Sequence, residues 1–478
     1  MLLFTQFPAL AAWSMPERDL RIFRIILPLI PNEMRLDFMY RDLTKGNISC
    51  SLLLFALPMI AGNLLQQCYN LADTLIVGRI LGKNALAAVG SAYTLMTFLC
   101  SIFLGLCMGA GAVISIYHGK KDDTAKKFAI CHAFLLIFAV TLILNILVYI
   151  GIDLILAFLR VPSAILQPMK EYLLIIFAGI IATSLYNFFS CLLRALGNSV
   201  VPLVFLAVST VLNISLDLLF IAVFPWGIKG AAAATVLAQY VSAIGILLYT
   251  IFRCKNLLPS KKELHYDKQI LKEILNLSSL TCIQQSVMNF GILMVQGLVN
   301  SFGPAIMAAF AAAVKIDTIA YLPAQDFGNA YSTFIAQNYG AKQYDRIKKG
   351  TRQAFAISIL FCICISIVVF FFAKNLMHIF VSPEETEVIA AGISYLRIEG
   401  AFYCGIGCLF LLYGYYRAVC MAEMSVILTV ISLGIRVLLA YLLAALMHSE
   451  IGIWMSIPIG WVLADITGLV YMKKSMAG

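Results

Sequence analysis

Acidic and polar side chains lie at helical spacing inside apolar stretches of this 478-residue chain. Tyr69 and Asp73 are four residues apart, and so are Asn213 and Asp217. Residues with this spacing lie on one face of an α-helix. Two carboxyl groups that meet in a low-dielectric interior cannot both remain charged without a large cost. Such a pair therefore takes up a proton, or holds a cation such as Na⁺ between its members.

Other polar side chains accompany these positions. Thr235 and Gln239 repeat the four-residue spacing in the next apolar stretch, and Gln66 and Asn70 lie close to the helix face of Asp73. The alternative is that the two acids only hydrogen-bond to neighbouring helices, but acids are costly in a membrane-spanning segment and are functional candidates by default. We predict that these groups meet in one pocket of the N-terminal half, where Asp73 and Asp217 form the acid pair of a proton- or Na⁺-coupled site.

Polar residues in the C-terminal half are harder to assign. Gln284 and Gln285 interrupt an apolar run, and Asp326 lies between a proline and a glycine, where an irregular backbone is expected. Arg436 can pair with Glu399 or with Asp326, and the sequence does not choose between them. Helix packing explains such residues as well as substrate contact does. The predicted substrate cavity comprises Gln66, Asn70, Gln239, Gln284, Gln285 and Asp326.

The composition excludes a soluble protein. Apolar residues make up 62% of the chain and charged residues 12%, whereas an average soluble domain has roughly 45–50% and 25%. The net charge of +10 is not gathered on a long basic face, so nucleic acid is not an expected partner. We expect a polytopic membrane protein whose helices, embedded in a lipid bilayer, are nearly the whole molecule.

Twelve apolar runs are long enough to cross a bilayer, which takes about 20 residues. They are approximately residues 51–78, 85–117, 127–152, 168–194, 199–224, 230–252, 272–300, 304–336, 351–374, 386–416, 424–447 and 452–472. The predicted fold is all-α, with two six-helix lobes. Lys and Arg crowd into alternate loops, which predicts an inner (plasma) membrane protein with both termini cytoplasmic. Pro58 removes a backbone hydrogen bond within the first span, so that helix is expected to bend.

The chain divides into four predicted segments: a cytoplasmic extension (1–45), an N-lobe (46–252), a cytoplasmic linker (253–271) and a C-lobe (272–478). The extension either forms an amphipathic surface helix or is partly an upstream artefact, with translation starting at Met34 or Met39.

The two halves resemble each other. A shift of 221 residues places Leu81 and Gly82 on Phe302 and Gly303, and a shift of 223 places Arg194 on Arg417. An even number of spans in each half keeps the repeats in the same orientation, with a substrate site between them near mid-membrane. Arg194 and Arg417 are expected to snorkel to the membrane surface.

Other chemistry lacks its motifs. Residues 78–84 resemble a phosphate-binding loop but are one residue short between the glycines and lack the final Ser or Thr. The thirteen cysteines form no C-x-x-C pair and are best explained as small apolar residues. An embedded enzyme would need a paired metal motif or a nucleophile with its base. We expect no enzyme, no cofactor beyond a coupling H⁺ or Na⁺, and a monomer.

Four sequence motifs carry a family resemblance. LPMIAGNLLQQ at 57–67, YNLADT at 69–74, ALAAVG at 85–90 and AQNYGAK at 336–342 occur in order on the repeated frame. Together they resemble the multidrug and toxic compound extrusion (MATE) family, in its bacterial DinF-like branch. The resemblance implies two lobes in a V shape, an N-lobe cation-binding and coupling site formed by Asp73, Asp217, Asn213, Tyr69 and Thr235, and a bending proline at Pro58. Another branch has a glutamate in the seventh span, where this chain has Gln284 and Gln285, so a C-lobe cation site of that kind is not implied.

The expected function is secondary active antiport. A cationic or amphipathic small molecule would be exported in exchange for H⁺ or Na⁺ by alternating access. The alternative is a flippase for a lipid or lipid-linked oligosaccharide from the same wider superfamily. Such a protein would be expected to line its cavity with more basic groups than the Lys315, Arg397 and Arg436 found here.

Overall fold

The fold is described from a computed structural model that covers residues 40–158, 161, 163–254, 257 and 267–477. These residues form helices and short connections and contain no strand. The predictions for residues 1–39, including the surface helix and the alternative starts, lie outside the described part of the chain.

The N-lobe consists of seven α-helices within the described residues. They are α1 (Ile48–Leu81), α2 (Lys83–Lys120), α3 (Asp123–Phe158), α4 (Ser163–Ala178), α5 (Ile180–Ala195), α6 (Val200–Asp217) and α7 (Ile228–Arg253). A π-helical segment, Leu218–Val223, continues α6 without a break. Asn47 starts α1 by accepting a hydrogen bond from the Cys50 amide through its side chain (3.2 Å), which is the usual role of an N-cap residue.

The C-lobe repeats this plan. Its helices are α8 (Lys268–Asn300), α9 (Pro304–Gly340), α10 (Tyr344–Met377), α11 (Thr386–Gly400), α12 (Tyr403–Ala418), α13 (Ala422–Thr429), α14 (Arg436–Met447) and α15 (Ile451–Ala477). A second π-helical segment, Val430–Ile435, joins α13 to α14. Asp267 caps α8 by accepting from the amides of the first turn.

The span count agrees with the sequence. Ten elements of the described chain are long and apolar enough to cross a bilayer, and two bent pairs can each make one further span. The pair α4–α5 bends by 44° and the pair α11–α12 by 52°. The predicted all-α fold in two lobes is therefore confirmed, and the ten to twelve possible spans of the described residues agree with the twelve predicted.

Two prolines do not break their helices. α1 runs as one continuous helix through Pro58, and α9 does the same through Pro323. The prediction of an irregular backbone beside Asp326 was wrong. Neighbouring turns and packed helices support α9 on both sides of the proline.

The lobes meet along α2 and α8, which cross with their backbones in contact. A Cβ atom on Gly105 would lie 2.5 Å from the Cys282 Cα atom, and one on Gly109 would lie 2.5 Å from the Ser278 Cα atom. Only glycine permits so close an approach, as the small-residue packing of membrane helices requires. Towards the other end of the same pair, Gly90 and Gly297 have no atom within 4 Å of a Cβ position.

The molecule thus has two unlike ends. At the closed end, defined by Gly46, Lys120, Ala195 and Gly340, the lobes touch: a Cβ on Gly340 would lie 2.0 Å from the Ile116 carbonyl oxygen. At the open end, defined by Gly82 and Gly303 in the corresponding turns, a Cβ on either glycine would have no atom within 4 Å. The lobes form a V whose apex is the end predicted to be cytoplasmic.

Candidate functional site

Two buried acids face each other inside the N-lobe. Asp73 comes from the last third of α1, and Asp217 is the final residue of α6. Their relative exposures are 8% and 0%, and each carboxyl group lies close enough to the other to interact with it electrostatically. Two carboxylates this close in a low-dielectric interior cannot both stay charged at low cost, so a proton or a cation between them would offset their repulsion. The pair predicted from four-residue spacing is therefore brought together by the fold.

The other predicted pocket residues adjoin this pair. The Asn213 amide donates to the Thr235 hydroxyl at 3.2 Å, and the Tyr69 hydroxyl also reaches Thr235. Asn213 and Thr235 are buried. α1, α6 and α7 thus each contribute side chains to one polar cluster. This cluster lies in the half of the N-lobe nearer the open end.

This pocket contains oxygen atoms without partners. Asp73 Oδ1, both carboxyl oxygens of Asp217 and Asn213 Oδ1 are buried and accept no hydrogen bond. Buried polar atoms are nearly always paired, and each exception calls for an explanation. Oxygen atoms of this kind are the ligands that a proton or a hard cation uses. The donor set therefore fits H⁺ or Na⁺.

Sequence reasoning missed two features of the pocket. Tyr172 of α4 is buried and lies close enough to Asp73, Asp217 and Tyr69 to interact with them electrostatically. It is a lone tyrosine whose nearest acid in sequence, Glu171, lies outside the pocket, so no spacing signals it. The π-helical segment that starts directly after Asp217 also has no sequence signal, although such segments often occur at functional sites.

Three predicted cavity residues lie around this pocket rather than in it. Gln66 is exposed and Asn70 is half-buried on α1. Gln239, one turn beyond Thr235, turns its side chain towards the bend between α4 and α5. Its Oε1 atom would lie 2.3 Å from a Cβ on Gly179 and has no hydrogen-bond donor.

The other three cavity residues lie close to the contact between the lobes. Gln284 and Gln285 are buried on α8, and Gln285 approaches Met108 of α2 across the interface, with 3.7 Å between Nε2 and Sδ. Asp326 is buried on α9 and accepts a hydrogen bond of 2.6 Å from Asn63 on α1. Its second oxygen has no partner. Asp326 thus joins the two lobes deep in the V.

The snorkelling prediction was wrong for Arg417. This arginine is buried and donates to Ser332 (3.2 Å) and Asn329 (3.1 Å) on α9. Its guanidinium group is retained inside because these oxygens satisfy it. Arg194, its counterpart in the repeat, is half-buried and lies near Asp326.

A second charged cluster occupies the C-lobe. Asp317 and Glu399 are buried near each other, and Arg436 acts on both. Tyr403 and Tyr395 are also buried and interact electrostatically with both acids. Of the two partners that the sequence left open for Arg436, Glu399 is the one with which it interacts electrostatically. The N-lobe acids have no such basic neighbour among the described residues.

Comparison with known proteins identifies the family. The family model described as MatE matches residues 58–219 and 279–442, one match in each lobe. The chain belongs to the MatE family. The matched segments include the acid pair and Arg436, so the repeat seen in the sequence is the repeat of the family.

MatE relatives resemble this chain over most of its length. A probable multidrug resistance protein, YpnP of Bacillus subtilis, is 31% identical over 435 residues, which cover 90% of this chain and 96% of that protein. A probable multidrug resistance protein, NorM of Thermotoga maritima, is 29% identical over 70% of this chain and 73% of its own length.

Solved MatE-type structures share the fold. One is a transporter of the MOP superfamily from Pyrococcus furiosus, with a TM-score of 0.85 at 22% identity, covering 91% of this chain and 97% of that one. Another is described as the outward-facing conformation of a multidrug resistance MATE family transporter, with a TM-score of 0.85 at 21% identity and the same coverage. These likenesses show that the chain shares the two-lobe fold of those structures.

Proposed function

We propose that this MatE protein is a secondary antiporter that exports cationic or amphipathic small molecules in exchange for H⁺ or Na⁺. The observation that carries the proposal is the buried Asp73–Asp217 pair, whose partnerless oxygens fit an exchangeable cation. Relatives named as multidrug resistance proteins support the choice of substrate class. We further propose that the protein acts as a monomer in the inner membrane, with its closed end on the cytoplasmic side.

The coupling step follows from the position of the pair. A proton or Na⁺ that reaches Asp73 and Asp217 from the open end removes their mutual repulsion. Asp73 lies on α1, the helix that also carries Pro58 and, through Asn63, the hydrogen bond to Asp326 in the other lobe. Bending of α1 about Pro58 would shift both contacts together. The ion therefore alters the surface between the lobes, from which the substrate is displaced outwards.

Dye efflux tests this proposal. Proteoliposomes that contain the protein are loaded with ethidium, and the transport of the dye is followed by fluorescence. Ionophores collapse the H⁺ gradient or the Na⁺ gradient in separate runs. We expect wild-type transport to stop when one of the two gradients is collapsed, and that gradient identifies the coupling ion. Asp73→Asn should abolish transport, because an amide cannot bind the ion as a carboxylate does. Its melting temperature should remain close to that of the wild type.

A matched variant controls for the loss of any acid from the N-lobe. Asp153 is an exposed acid of α3 that pairs with Lys170 away from the pocket. Asp153→Asn should transport at the wild-type rate. Normal, gradient-driven transport by Asp73→Asn would contradict the coupling mechanism. Absence of ethidium transport in the wild type, together with movement of a fluorescent lipid between leaflets, would favour the flippase alternative.

A further inference from the structure

A short segment before the first helix lies between the lobes at the closed end. This segment, residues 40–46, is called the strap. Leu43, at its centre, has no exposed surface and joins the apolar cluster that continues into the C-lobe. The neighbouring Asp42 and Lys45 are exposed. The strap thus inserts one apolar side chain into the contact and leaves its charged side chains in solvent.

The C-lobe holds the strap by its backbone. Gln337 accepts from the Leu43 amide (3.3 Å), and Asn338 donates to the Leu43 carbonyl (3.2 Å). Arg346, at the start of α10, donates to the carbonyl oxygens of Leu43 (3.2 and 3.3 Å), Lys45 (2.6 Å) and Gly46 (2.8 Å). One guanidinium group therefore binds three carbonyl groups of the strap. These hydrogen bonds are charge-assisted and are stronger than neutral ones.

The N-lobe holds the other side of the strap. The Arg41 amide donates to the Gly197 carbonyl at 3.1 Å, in the turn between α5 and α6. Gly197 has a φ of 89°, and a Cβ there would lie 2.1 Å from the Arg41 carbonyl oxygen, so glycine is required. The Tyr40 hydroxyl also meets the Cys254 thiol at the end of α7 (3.0 Å).

Gln337 links all three parts. Its Oε1 atom receives the strap, and its Nε2 atom donates to the Ala195 carbonyl of the N-lobe at 2.8 Å. Its own carbonyl oxygen would lie 1.9 Å from a Cβ on Gly119. These contacts hold the strap and both lobes together at the closed end.

We propose that the strap is a latch, with Arg346 as its clasp, that holds the closed end of the molecule shut. The inference rests on the proposed alternating-access function, which requires this end to open in turn. The strap is covalently continuous with α1 of the N-lobe, so separation of the lobes must break its bonds to Gln337, Asn338 and Arg346. These three residues therefore set the equilibrium between the closed and open forms of this end.

Hydrogen–deuterium exchange of the full-length protein in nanodiscs tests the latch without any transport assay. Peptides covering the strap, the end of α9 (334–342) and the α5–α6 turn (194–199) report on all three surfaces of the closed end. Arg346→Ala removes the charge-assisted bonds, and we expect a roughly tenfold to hundredfold shift towards the open form. Exchange should then rise in all three regions together.

Lys348→Ala is the matched control, since Lys348 is an exposed cation on the same helix without a hydrogen bond or ion pair in the described structure. It should exchange like the wild type. Faster exchange in Arg346→Ala confined to the strap, or no change at all, would overturn the latch. If exchange also rises in the first half of α7 (228–240), which lies far from the closed end, the fold has loosened. Arg346→Lys then decides, because lysine keeps the charge but cannot span three carbonyl groups, and unchanged exchange at the closed end would again overturn the latch.

The two proposals fail separately. Coordinated opening in Arg346→Ala, with no efflux by the wild type under any gradient, would refute the antiport function and leave a gated closed end. Wild-type exchange in Arg346→Ala, with normal efflux, would refute the latch alone.

Discussion

At the scale of single residues, the unpaired oxygens of Asp217 stand out. Both are buried without a hydrogen-bond partner, and a buried polar group in that condition costs about 1–3 kcal/mol. We expect Asp217→Asn to raise the melting temperature by roughly 1–4 °C, because the amide is neutral and can donate to Asp73. Gradient-driven efflux should be lost. Scanning fluorimetry beside the efflux assay measures both effects.

Asp153→Asn serves as the control for this prediction and should leave the melting temperature unchanged. A lower melting temperature for Asp217→Asn would mean that the acid contributes to folding and is not kept for ion binding at the expense of stability. Asp73 and Asp217 could be predicted because acids in apolar runs are conspicuous. Tyr172 could not, because its approach to the pair depends on how α4 packs.

At the scale of helices, the glycines of α2 determine how closely the lobes approach. Gly109→Ala would place a methyl group 2.5 Å from the Ser278 Cα atom, so the backbones must separate, at a cost of about 1–3 kcal/mol. We expect a lower melting temperature and reduced efflux. Gly90 lies in the same helix with nothing within 4 Å. Gly90→Ala should therefore leave the protein as stable as the wild type, or more stable by about 0.5–1 kcal/mol.

If Gly109→Ala and Gly90→Ala have the same melting temperature, the close crossing of α2 and α8 does not limit stability. The sequence could not name α8 as the helix that packs against Gly105 and Gly109 of α2. It did predict twelve spans from apolar length alone. The unbroken helix through Pro323, the two π-helical segments and the packing of residues 40–46 between the lobes all depend on contacts between distant parts of the chain.

At the scale of the whole molecule, the two lobes repeat one architecture with unequal charge. The N-lobe pocket has two acids and no basic neighbour among the described residues, whereas Arg436 accompanies Asp317 and Glu399 in the C-lobe. An internal cation already offsets part of the charge in the C-lobe. The repeat therefore does not imply two equal ion sites, and the N-lobe is the stronger candidate for coupling.

The charge balance of the C-lobe gives the last prediction. Arg436→Met leaves two buried acids without their cation, and the loss of one partner of a buried pair costs about 3–5 kcal/mol. We expect this variant to melt well below the wild type. The double variant Glu399→Gln/Arg436→Met removes one charge of each sign, so most of the stability should return. Ion dependence of efflux should also persist, because the N-lobe pair is intact. Equal instability of the single and double variants would show that Arg436 acts by packing, and loss of ion dependence in the double variant would move the coupling site into the C-lobe.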